Sequence, residues 1–170
     1  MRRDHLPEKE EWLPAGRTPV SLASPGTEGC LRYGNDKELC YYPPGEVGTA
    51  VLLPDGTVFT TGSRALMGRG TTAIYTPPTV RTGAGTWVAG PDFPVDDNGA
   101  DNFVVLLRNG HVLTRGIKSG NLYEYDGVQV IALPLGLTGP NMLPLPTGEV
   151  LVSGPIAQLF TPADNTFSPS

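Results

Sequence analysis

The chain has 170 residues with Gly 22, Pro 18 and 17% charged residues, enough for one domain or part of a larger one and better suited to short strands and turns than to helices. Its formal net charge of -5 argues against nucleic acid, whose phosphates need a basic face, and gives no support to binding at an anionic membrane surface. No apolar run reaches the ~18 residues of a membrane-spanning helix, and MRRDHLPEKEEW has no apolar stretch behind its arginines, so it is no signal peptide.

In chain order, the first candidate element surrounds Trp12. Pro19-Val20 follow it by seven and eight positions, as Pro94-Val95 follow Trp87. Residues 1–20 are therefore expected to be a tail and an orphan outer strand of a unit otherwise absent. Residues 21–47 read as an irregular loop holding both cysteines, Cys30 and Cys40. A local disulfide would suggest an oxidising, extracellular or cell-surface setting, and two free thiols are equally allowed.

One phrase then occurs three times, as GTAVLLPDGTVFTTG (48–62), DNFVVLLRNGHVLTRG (101–116) and NMLPLPTGEVLVSG (141–154). Each has an apolar run, a tight turn ending in Gly56, Gly110 or Gly148, a second apolar run, and a closing Gly62, Gly116 or Gly154. Apolar and β-branched residues around a Pro-Asp-Gly or Asn-Gly turn predict a β-hairpin. A third strand with an aromatic follows each hairpin, at Ala73–Tyr75, Leu122–Tyr125 and Gln158–Phe160. A fourth is marked by Trp87, by Val128–Leu133 and by Phe167. Copies of one supersecondary unit cannot bury their cores alone and must stack.

Four antiparallel strands in a repeat of ~40–50 residues are the pattern of a β-propeller blade. The expected fold class is thus all-β: a propeller segment of about three four-stranded blades, at 48–95, 96–138 and 139–170, after the N-terminal orphan strand. The third copy, with Ser153-Gly154 and with six residues between Phe160 and Phe167, resembles the kelch repeat of galactose-oxidase-like propellers, Phe standing for the family's Tyr and Trp. In the first copy, Thr61-Gly62, Tyr75 and Trp87 fit with an expanded third turn, eleven residues separating the aromatics. The second has Arg115-Gly116 and Tyr123 without a Trp, and the family's Gly-Gly doublet is degenerate throughout. The resemblance implies a binding or scaffolding platform, since only a few members of the family are enzymes.

The activity that occurs on this fold is copper-radical oxidation, which needs convergent imidazole and phenolate ligands and a tyrosine cross-linked to a cysteine. The chain has only His5, in a polar tail, and His111, beside the Asn109-Gly110 turn and expected to face solvent. The oxidase is therefore rejected for this chain, and no catalytic residue, metal or cofactor is assigned. VRTGAGTW keeps only the Thr86-Trp87 of a sialidase Asp-box. DDNGADN (96–102) has hard oxygen ligands without the spacing of a calcium loop.

In a four-stranded blade the loop after the second strand and the connection between blades open on one face, and the hairpin turns open on the other. The first face receives the least repetitive segments, and loops on a rigid scaffold are where binding usually resides. The candidate binding residues there are Arg64, Arg69, Asp96, Asp97, Asp101, Asn102 and Lys118. The expectation is a non-catalytic module for a protein or glycan ligand, with solvated, self-capping turns as the plainer alternative. Three blades fall short of the ~4 of known propellers. The chain is accordingly expected to be a fragment of a longer propeller, or to close a ring with a second copy. The competing reading is a fragment of a galactose-oxidase-like copper oxidase or carbohydrate-active enzyme whose catalytic residues lie outside the chain.

Overall fold

A computed structural model describes residues 15–22, 29–33, 37–41, 47–63, 69–80, 83–100, 102–136 and 141–169, with backbone alone at 29–33, 37–41, 134, 136 and 169. The described chain is all-β. Three four-stranded antiparallel sheets follow one another, each a simple meander: β3–β6 (Val47–Leu52, Val58–Ser63, Gly70–Thr76, Thr86–Ala89), β7–β10 (Val104–Leu106, Val112–Arg115, Asn121–Tyr125, Val130–Gly136) and β11–β14 (Asn141–Pro144, Val150–Ser153, Gln158–Thr161, Thr166–Pro169). The first strands pack together, β7 lying against both β3 and β11. The sheets are thus arranged like successive propeller blades, and they do not close into a ring.

The expected hairpin turns are in place. Gly56, Gly110 and Gly148 have φ of 86°, 86° and 100°, a region that side chains with a Cβ rarely enter. Each glycine N–H donates to the carbonyl three residues back, on Leu53, Leu107 and Leu145 at 3.0, 3.0 and 2.9 Å. The aromatic pairs also fall into register: Tyr75 opposite Trp87, and Phe160 opposite Phe167, with ring centroids 4.9 and 5.2 Å apart.

Because side chains alternate across a strand, each middle sheet face feeds a separate core. Phe59 of the first sheet joins Val112, Tyr125 and Val130 of the second, and the Phe59 and Tyr125 rings stack with centroids 4.3 Å apart. The opposite face of the second sheet offers Val105, Leu113 and Leu122 to Met142, Val150, Val152 and Phe160 of the third. Both faces of the second sheet are covered, which is why its strands read as continuous apolar runs.

One expectation needs correction. Residues 21–47 are not uniformly irregular: β1 (Gly29–Tyr33) and β2 (Lys37–Tyr41) pair antiparallel and place Cys30 opposite Cys40. The orphan strand expected around Trp12 falls on residues 1–14, which with His5 are outside the described residues, while residues 15–22 cross the outer face of the first sheet. The crossing is held by Trp87 Nε1 donating to Ala15 O, Thr71 Oγ1 to Ser21 O and Ser63 N to Leu22 O, each at 2.9 Å. Small side chains make room for it. Thr60 and Ala73 are buried there, and Gly62 leaves the space that Leu22 approaches, since a Cβ on it would collide with the Leu22 backbone.

Candidate functional site

The connection face is organised by residues 90–100 and 102, which lie between β6 and β7. This segment is stitched to the first sheet by Thr72 Oγ1 donating to Pro91 O at 2.7 Å, Gly70 N to Asp97 O at 2.8 Å and Thr61 Oγ1 to Gly99 O at 3.0 Å. It is stitched to the second by Ile117 N donating to Asn98 O at 2.9 Å and Asn102 Nδ2 to Arg115 O at 2.9 Å. A loop with its backbone groups so consumed is part of the scaffold.

Asp97 is the centre of that stitching, only 1% exposed. Its carboxylate accepts from the backbone N–H of Asn98 and Lys118, each at 2.9 Å, from Ser119 N at 3.3 Å, from Tyr123 OH at 2.9 Å and from Ser119 Oγ. Gly116 permits this approach, since a Cβ there would collide with the carboxylate. Burial raises the Asp97 carboxyl's affinity for a proton, but Ser119, Lys118, Tyr123 and Asn98 together outweigh it and hold the group below its ordinary 3.8. The Tyr123 hydroxyl moves up from 10.0, through burial first and then through Asp97, and so remains a donor. With five hydrogen bonds on its carboxylate, Asp97 ties the connection between the sheets to the Lys118–Ser119 turn and to Tyr123.

The other candidate residues are placed differently. Asp96 is exposed and pairs with Lys118 Nζ at 2.6 Å, an ion pair open to solvent on the same face. Arg69 is exposed and donates from Nε to Phe93 O at 2.5 Å. Asn102 is 5% exposed, its amide spent on the second sheet. Arg64 and Asp101 lie outside the described residues. His111, expected from its turn position to face solvent, is only partly exposed. Its Nδ1 lies 2.5 Å from Glu124 Oε1, with the two side chains 34% and 17% exposed.

Phe103 was not anticipated from the sequence, and it is 49% exposed at the start of β7. With Val47, Gly48, Thr49 and Asn102 it lines a cleft of about 250 Å³ between the leading ends of β3 and β7. Thr49 Oγ1 donates to Asn102 O at 2.7 Å, fixing the cleft wall. The sequence signal was present, an aromatic directly after a polar run, but it reads equally well as the first residue of a buried strand. Among the described residues no group of three or more His, Cys, Asp or Glu is placed to hold a metal ion. Compared with protein-family models, curated proteins and solved structures, the chain matches none.

Proposed function

We propose that the chain is a non-catalytic propeller module of the kelch type whose connection face holds a protein or glycan ligand. The observation that carries this reading is the Phe103 cleft, a half-exposed aromatic beside hydroxyl and amide groups, mounted where the first strands of two sheets meet. At about 250 Å³ it is smaller than the ~300–1,000 Å³ of sites for drug-sized ligands. It suits a single sugar ring or one side chain of a partner. An aromatic face stacks on the apolar side of such a group, while polar neighbours fix its orientation. Asp96, Lys118 and Arg69 contribute charges of both signs to the same face, which favour a polar ligand. Asp97 and Asn102 support the site from beneath.

An oligosaccharide array probed with the purified chain tests this. Binding that Phe103→Ala weakens at least about tenfold, with an unchanged melting temperature, is the expected result for the glycan arm. Binding that Phe103→Ala leaves intact would place the ligand elsewhere.

A further inference from the structure

In the β1–β2 ladder three kinds of partner meet in a single register: Cys30 stands opposite Cys40, Leu31 opposite Leu39 and Arg32 opposite Glu38. Because faces alternate along a strand, Cys30, Arg32, Glu38 and Cys40 share one face, and Leu31, Tyr33, Leu39 and Tyr41 share the other. The register therefore sets thiol against thiol, apolar against apolar and cation against anion. A slip of one residue would undo all three at once. Among the described residues β1 and β2 pair only with each other. A two-stranded ribbon of this kind is marginal in water unless something further holds it.

We propose that Cys30 and Cys40 are joined by a cross-strand disulfide that staples the β1–β2 ribbon and makes its pairing sensitive to redox conditions. Directly opposite residues of an antiparallel pair have Cα atoms about 4.5 or 5.5 Å apart, according to the kind of pair, and both separations lie within the ~4.4–6.8 Å that a disulfide spans. Cys30 and Cys40 are the two cysteines of the chain, so within it each has a single possible partner. Closure needs an oxidant, which a small disulfide such as oxidised glutathione supplies. One cysteine thiolate attacks a sulfur of the small disulfide and expels a thiolate, and the second cysteine thiolate then attacks the mixed disulfide and expels the other. The two cysteine thiols are oxidised, the small disulfide is reduced to two thiols, and the two protons pass to the leaving thiolates. The bond restricts residues 31–39 in the unpaired chain, and for a loop of this size that raises the paired population on the order of a hundredfold.

The proposal does not rest on the connection-face reading and is tested separately, by mass spectrometry and limited proteolysis on the whole chain. After equilibration with oxidised glutathione the chain should have lost the mass of two hydrogens and take up no alkylating agent. A full tryptic digest should then hold peptide 18–32 joined to peptide 38–64 until a reductant is added. Under limiting trypsin, cutting after Arg32 and Lys37 should be more than about tenfold slower in the oxidised chain than in the reduced one, and Cys40→Ser should abolish that difference. Cys30→Ser combined with Leu31→Cys moves one thiol to the other face of the ladder while barely changing the loop, and should close at least about tenfold less readily. Two alkylatable thiols after equilibration, or a bond that links two chains, would overturn the proposal. So would a shifted variant that closes as readily as the wild type, or equal cutting rates in the oxidised and reduced chains.

Discussion

The hydroxyl of Tyr123 donates to Asp97 Oδ2 at 2.9 Å, joining the connection that leaves the first sheet to the third strand of the second. Both residues are buried, Asp97 at 1% and Tyr123 at 0% exposure. The carboxylate sits on the space left by Gly116 and gathers the Lys118–Ser119 turn around itself. This knot fixes the floor of the connection face, and its consequences can be measured.

Asp97→Asn keeps the size of the side chain but removes the charge and mismatches donors with donors. Unfolding in urea should show a loss of about 2–3 kcal/mol, the scale of a buried hydrogen-bond network to a charged group. The variant should also alter the response to acid. A carboxyl held below its ordinary value binds a proton more readily in the unfolded chain, so its stabilisation is complete above that ordinary value. It is then lost as pH falls through the folded value. Melting temperatures across the acid range should therefore fall more steeply for the wild type than for Asp97→Asn. Parallel curves would show that Asp97 is not the controlling group.

Gly116→Ala and Gly127→Ala should differ in the origin of their cost. Gly127 has φ 99° and nothing within 4 Å of an added Cβ, so alanine there meets backbone strain alone, about 1 kcal/mol. At Gly116 no positive φ is involved and the obstacle is the Asp97 carboxylate. In an Asp97→Ala background the cost of Gly116→Ala should shrink markedly, whereas that of Gly127→Ala should not change. A double-mutant cycle reads this directly.

Phe59→Ala should cost about 3–5 kcal/mol, since the ring is 1% exposed and stacked on Tyr125. Leu151→Ala occupies the equivalent register position on the third sheet, where the side chain is only partly buried, and should cost less than about 1.5 kcal/mol. The same pattern position would then differ in energy only through what covers it.

Trp87→Phe retains the ring contact with Tyr75 but loses the bond to Ala15 O. Residues 15–22 should detach more often, and trypsin should cut after the exposed Arg17 several-fold faster while cleavage elsewhere is unchanged. Equal rates would mean that Leu22 and Ser21 alone hold the segment.

Much of the scaffold was legible in the chain because it is locally encoded. Pro54-Asp55-Gly56, Arg108-Asn109-Gly110 and Pro146-Thr147-Gly148 each carry their own turn geometry, and the glycines do adopt positive φ. The aromatic spacing of Tyr75 with Trp87, and of Phe160 with Phe167, correctly paired the third and fourth strands of those sheets. The site was less legible. Asp96 and Asp97 are adjacent and chemically identical, yet one is a solvent-exposed partner of Lys118 and the other an internal anchor. His111 and Glu124 are thirteen residues apart in sequence, and only the β8–β9 register brings them together.

The amino-acid sequence alone therefore determined the four-strand plan of each repeated unit, the hairpins and the succession of three like units, because turn propensity and period-two alternation act over a few residues. The tertiary structure alone decided which carboxylate is buried, where residues 15–22 lie, and that His111 meets Glu124. Those outcomes depend on which surface meets which across the fold, and burial is a property of the neighbour as much as of the residue itself.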